Sequence, residues 1–197
     1  MDLQKLVIVN SCHSCPILTA VDVLVVGGGA AGVAAAETAA RLGNNVLLIE
    51  KYGFLGGAAV AGLSGTLCGL YLASDMNRVP QKIVYGFADK FCQELSKKNG
   101  LTQPQKYGKT WVVTHDPLVW REVAENLLED AGANILYHIN MIGVIKDEEE
   151  FKGIIVDTKS GIAAIHATML IDATGDADLI YRAGLDYVMG DDGHIQN

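Results

Sequence analysis

Along the first fifty residues the spacing of apolar positions changes twice. Asp22 to Val26 (DVLVV) is a short, nearly continuous apolar run of the kind a strand buried on both faces requires, and it leads straight into Gly27, Gly28 and Gly29. The next stretch carries a helical pattern that Gly43 stops, and Val46 to Glu50 (VLLIE) is a second buried run ending in an acid. Strand, glycine turn, helix and strand together predict a βαβ unit.

Farther along, Ile83, Val84, Phe87, Phe91 and Leu95 recur at helical spacing, which predicts a packing helix within Val79 to Lys98, closed by Gly100. Leu101 to Thr110 is polar and contains Pro104 and Gly108, the composition of an exposed loop. Asp116 then caps a second helix with Pro117 at its first position, Leu118, Val119, Val123, Leu127 and Leu128 on its apolar face, and Gly132 as its stop. Three β segments, Asn134 to Ile145, Lys152 to Thr158 and Ile162 to His166, read as a meander. Met169 to Ala173 reads as a separate buried strand running into a second glycine turn at Thr174, Gly175 and Asp176. Before all of these, Met1 to Thr19 reads as an extension in which Leu6 to Val9 has the pattern of an edge strand.

The chemistry of the βαβ unit follows from its glycines. Gly27 permits a backbone conformation that a side chain resists, Gly29 lets the chain approach a pyrophosphate, and Gly32 lets the helix pack against the strand. Ala36, four residues later, keeps helix and sheet close, and the peptide N–H groups of the helix start face the phosphates. Glu50, at the carboxyl end of the second strand, is placed to accept hydrogen bonds from both hydroxyls of a ribose and would repel the 2′-phosphate of NADP. After it, YGFLGGAAVAGLSGTLCG has no hydrophobic period. Gly56, Gly57, Ala58 and Ala59 suit a loop following a cofactor's phosphates and sugar toward its reactive ring. In a doubly wound sheet the turn at 174–176 returns beside the first glycine turn, and two such turns with one ribose acid suggest a long dinucleotide.

Composition narrows the partners. The 197 residues are half hydrophobic, enough for a sizeable core, and the net charge of −8 without basic runs disfavours nucleic acid and anionic membrane surfaces. The apolar residues between Ile17 and Ala36 are broken by Asp22 and four glycines, and there is no secretion signal, so the expected location is cytoplasmic and the four cysteines are expected as thiols. Cys12 and Cys15 have CxxC spacing, but no second pair closes a tetrahedral metal site, and no metal is expected. Cys68 reads as a small buried hydrophobe, with a place near the cofactor's reactive ring as the alternative. His115 reads as a residue flanking a helix cap, with a substrate contact as the alternative, His138 and His166 as packing histidines in strands, and Asp176 and Asp178 as cofactor contacts or a helix start. No catalytic acid or base is assigned.

Taken together, GGGAAG with Glu50, GFLGGAA, the HDP helix start, ILYHINMI and IDATGDAD resemble the FAD-dependent oxidoreductases of the glutathione-reductase-like superfamily, in the group with a GGxA loop after the ribose acid. The resemblance runs from about Asp22 to Gly184. It implies an α/β, Rossmann-like FAD-binding domain with a three-layer ββα arrangement, a β-meander and inserted helices. It implies a pyrophosphate over Gly27, Gly29, Ala30, Ala31 and Gly32, the adenosine ribose on Glu50, and adenine beside the backbone of Met141, where the family commonly has valine. Lys51 to Ala59, including Gly56 and Gly57, would carry the riboflavin side, and Ala173, Thr174, Gly175 and Asp176 would close the adenosine end.

The expected organisation is an extension (1–20), the βαβ unit with its glycine loop (21–66), an inserted helix and loop (67–114), the rest of the FAD domain (115–190) and a terminal loop (191–197). Members of that family continue through a substrate domain and a final glycine-containing segment. The fold is therefore expected to be incomplete without further chain, supplied by a second polypeptide, with a cloning fragment as the alternative. The expected function is hydride transfer from a small amine, amino acid or hydroxy acid to FAD, with electrons leaving to oxygen, a quinone or another carrier. Two alternatives stand beside it. One is a non-catalytic or regulatory subunit holding FAD or NAD structurally; the other, an NAD-dependent dehydrogenase, leaves the GGxA loop and ATGD turn unexplained.

Overall fold

A computed structural model describes residues 15–62, 64–73, 79–148, 150–188 and 190; the segment Leu6 to Val9, Cys12 and the Asp191 to Gly193 turn lie outside them. Its frame is a six-stranded mixed sheet of order β6-β2-β1-β9-β8-β7, made of β1 (Ile17–Val26), β2 (Val46–Glu50), β6 (Asn134–Tyr137), β7 (Asn140–Asp147), β8 (Glu150–Thr158) and β9 (Gly161–Asp172). β6, β2, β1 and β9 run parallel, while β7, β8 and β9 form an antiparallel meander.

Alternation along the strands builds two cores. Val23 and Val25 pack with Val33, Ala36 and Ala40 of α1 (Ala30–Arg41) and with Trp120, Val123 and Leu127 of α4 (Pro117–Ala131). Leu24, Val26, Leu47 and Ile49 face Ile154, Val156, Ala163 and Ile165 of the meander. Helices, parallel sheet and meander are thus three layers, as the ββα expectation requires.

Several expected boundaries differ. β1 begins at Ile17, inside the expected extension, because Ala164 to Asp172 of β9 offer it a partner far beyond the reach of β2. The expected strands 162–166 and 169–173 are one strand: β9 pairs β8 through its first six residues and β1 from Ala164 onward, so it changes partners without turning. Conversely, Asn134 to Ile145 is two strands. β6 pairs with β2, then His138, with φ of +57°, redirects the chain into the meander; this histidine lies between strands rather than in one.

The 67–114 region also gains structure. The helix expected from Val79 onward is α3 (Phe87–Lys97), starting only after Gly86, whose φ of +72° is incompatible with a preceding helical turn; Ile83 instead pairs its N–H with the Leu70 carbonyl. The expected loop at 101–110 holds a hairpin of β4 (Gln105–Tyr107) and β5 (Thr110–Thr114), and β3 (Thr66–Leu67) completes a three-stranded sheet. Local polarity hid this hairpin because its strands are short and one is solvent-exposed. Buried Glu37 of α1 pairs with Lys90 of α3 at 2.5 Å, joining the insertion to the helix layer. Among the described residues no helix is long and apolar enough to cross a membrane.

Candidate dinucleotide site

The parallel register places the carboxyl ends of β1 and β2 side by side, Val26 opposite Ile49, so the glycine turn and Glu50 leave the sheet together. Glu50 is only 6% exposed. Its Oε2 accepts the Gly28 N–H at 2.7 Å and its Oε1 accepts the Tyr52 N–H at 2.8 Å. Two backbone donors fix the carboxylate, while each oxygen keeps acceptor capacity for a ligand hydroxyl. Gly28 has no room for a side chain, since a Cβ would stand 2.6 Å from Leu55 and 3.1 Å from Glu50.

Gly27 adopts φ of +103°, and Gly32 is pressed so close that an added Cβ would stand 1.8 Å from the Gly27 carbonyl oxygen. Ala30 and Ala31 open α1. That helix start carries no side-chain cap, whereas Asp116 caps α4 by accepting the N–H groups of Leu118 and Val119. The first-turn N–H groups of α1 therefore lack an intrahelical or capping partner, an arrangement suited to an anion.

The second glycine pair joins this turn directly. Gly56 donates its N–H to the Gly28 carbonyl at 2.9 Å and bridges in parallel with Gly29. Gly57 then starts the short helix α2 (Ala58–Ala61), so the expected irregular loop contains one helical turn carrying Ala58 and Ala59. Ahead of it, the 51–55 bend is braced by stacking. Lys51 Nζ lies 5.4 Å from the Tyr52 ring, Tyr52 stacks on Phe54 at 5.4 Å, and the Arg121 guanidinium sits 4.7 Å from the Phe54 ring centroid.

A cavity opens at the ends of β1 and β2, and Gly27, Glu50, Lys51, Met141 and Thr174 all contribute to its wall. Ile139, Asn140 and Asp178 also line it; the sequence reading left the first two out. Gly29 to Gly32 and Gly56 to Ala59 continue from this wall along the turns. Ala173 closes against Gly27 through its backbone, with its N–H on the Val26 carbonyl, while Gly175 and Asp176 are exposed and outside the cavity wall.

Thr174 reaches the cavity with its hydroxyl already committed. It donates to Asp172 Oδ1 at 2.8 Å and accepts the Asp178 N–H at 2.9 Å. Asp172, which sequence reasoning missed as a site residue, also accepts the N–H groups of Thr174 and Ile180 and so holds α5 (Asp178–Arg182) against the end of β9. The signal was available: Asp172 ends an apolar run as Glu50 does.

The remaining candidates fall elsewhere. His166 is in β9, away from this cavity, and Cys68 is exposed, contrary to its expected burial, because β3 lies at the rim of the small sheet. His115 is buried and donates from Nε2 to the Ala59 carbonyl at 3.0 Å. Burial, then the hydrogen bond to Glu125 at 2.7 Å, pushes the Tyr137 phenol well above its ordinary pKa.

Residues 22–197 match the family model described as FAD dependent oxidoreductase. The chain is 31% identical over 175 residues to a digeranylgeranylglycerophospholipid reductase of Methanoculleus marisnigri, an alignment covering 85% of this chain and 42% of that protein. It is 28% identical over 190 residues to a thiamine thiazole synthase of Methanococcus vannielii, covering 90% of this chain and 65% of that protein. A solved geranylgeranyl bacteriochlorophyll reductase-like protein of Thermoplasma acidophilum shares the fold, with a TM-score of 0.60 at 23% identity over 88% of this chain and 44% of that one.

Proposed function

The chain belongs to the FAD dependent oxidoreductase family, and from that premise we propose that it is the FAD-binding portion of a flavin-dependent oxidoreductase acting on a small organic substrate. The observation that carries this reading is the union of an uncapped α1 start, a second glycine pair bridged to it, and a buried carboxylate held by the Gly28 and Tyr52 N–H groups. These features fit a dinucleotide. Gly29, Ala30, Ala31 and Gly32 present backbone N–H groups to its pyrophosphate, with Gly27 supplying the turn. Glu50 accepts the ribose hydroxyls, the backbone around Met141 borders the adenine, and Lys51 and Thr174 line the same end. Gly56, Gly57, Ala58 and Ala59 follow the riboflavin side, while Ala173, Gly175 and Asp176 shape the closing turn.

FAD held by these residues would supply the redox chemistry, a hydride-accepting ring. This chain's own part is to hold and orient: it offers donors to the phosphates, acceptors to the ribose, and small side chains where the backbone must come close. The substrate is an amine, amino acid or hydroxy acid in this reading. The chain spans less than two thirds of the length of the relatives it matches; in this reading a second polypeptide contributes the substrate and ring-facing residues.

Titration of the protein with FAD, followed by flavin fluorescence, tests the cofactor reading. Glu50→Gln places an amide where two N–H donors converge, and affinity is expected to fall about tenfold or more, equivalent to about 1.4 kcal/mol. Equal affinity for FAD in wild type and variant would remove Glu50 from the site. Bound flavin that no candidate substrate reduces in the assembled protein would favour a subunit holding the nucleotide structurally.

A further inference from the structure

We propose that His115 is a positioning residue for the cofactor's riboflavin side, fixing α2 and with it the Gly56–Gly57 pair against Gly28 and Gly29. The inference rests on the proposed function in one respect, the placement of residues 56–59 along the cofactor. His115 is 4% exposed and stands between β5 and α4, its backbone anchored by its N–H on the Gly65 carbonyl at 2.8 Å and by a bridge to Leu101. From that fixed point its imidazole crosses to the Ala59 carbonyl at 3.0 Å, linking positions 56 residues apart.

A carbonyl can only accept, so Nε2 carries the proton in this contact, and in the neutral ring Nδ1 is left with a lone pair. That Nδ1 is buried with no hydrogen-bond partner among the described residues. An unpartnered buried acceptor lowers stability, so the imidazole is a poor choice for filling space alone. An apolar side chain would fill the space without that cost. The histidine makes sense as the donor that holds Ala59.

A second contact from the same junction supports this role. Asp116, the next residue, caps α4, and a Cβ on Gly56 would stand 2.2 Å from Val60 of α2 and 3.1 Å from the ring of Trp120 one turn on. Val60 and Trp120 thus confine the glycine pair by packing, while His115 fixes the following turn by a directional bond. The Gly57 backbone is in turn close enough to Gly29 that a Cβ on Gly57 would stand 3.1 Å from the Gly29 Cα. Displacement at Ala59 is therefore transmitted to the place where the two glycine turns meet.

The test compares wild type, His115→Phe and His115→Gln as full chains by amide hydrogen exchange without ligand, thermal unfolding and FAD titration. His115→Phe is expected to speed exchange at Val60, Ala61 and Gly62 and to weaken FAD binding about tenfold, the factor of one net hydrogen bond. His115→Gln, which retains an amide donor, is expected to recover most of both losses. Parallel losses of stability and affinity that His115→Gln does not rescue would reduce His115 to a structural residue and overturn the proposal, as would wild-type exchange in His115→Phe. Wild-type protein that takes up no FAD would overturn the cofactor reading and the role of His115 toward it, whereas the exchange data would still report whether His115 holds α2.

Discussion

Each glycine of the first turn has its own steric reason. Gly27 needs its positive φ, Gly28 must leave room for Leu55 and Glu50, and Gly32 must let α1 meet the Gly27 carbonyl. Gly32→Ala would put a methyl group 1.8 Å from backbone that no side-chain rotation can relieve. We expect it to destabilise the fold by about 1–3 kcal/mol and to open the α1 start, measured by denaturant unfolding together with FAD titration; unchanged stability would contradict the tight packing. Gly27, Gly32 and Glu50 were legible in the sequence because their jobs depend on spacing along one βαβ unit. The service of Gly28 as a donor to Glu50 was not, because it depends on which backbone groups the fold brings to the carboxylate.

Helix α4, bounded by local capping residues, was read correctly from the chain, whereas the start of α3 at Gly86, the β4-β5 hairpin and the strands defined by distant partners were not. Asp116, Pro117 and Gly132 set the limits of α4 by capping chemistry, and the structure has the same limits, with Gly132 in the left-handed region. The extent of β1, the unity of β9 and the break between β6 and β7 are decided by pairing across the sheet, which hydrophobic period alone does not encode. One contact between elements carries a pH signature. Tyr137 of β6 donates to Glu125 of α4, and burial followed by that hydrogen bond raises its pKa above the ordinary 10.0. The folded state therefore keeps the phenolic proton to higher pH than the unfolded chain, so the contribution is complete below about pH 10 and is lost as pH rises beyond it. Thermal unfolding between about pH 8 and 11 should show this alkaline loss in wild type and a weaker one in Tyr137→Phe; identical profiles would refute the link.

At the scale of the whole molecule, the three layers present one functional end. The carboxyl ends of the parallel strands, the uncapped α1 start and the bridged glycine pair converge there, and residues 22–197 match the family model. The same chain accounts for 42% of one reductase relative and 65% of a thiazole synthase relative. The most direct measurement is a native mass spectrum of the protein purified from its source, because it reports bound cofactor and bound chains together. A complex carrying FAD and a second polypeptide is expected; a species that carries no FAD, alone or in complex, would contradict FAD binding, and FAD held with no second chain would contradict the second polypeptide.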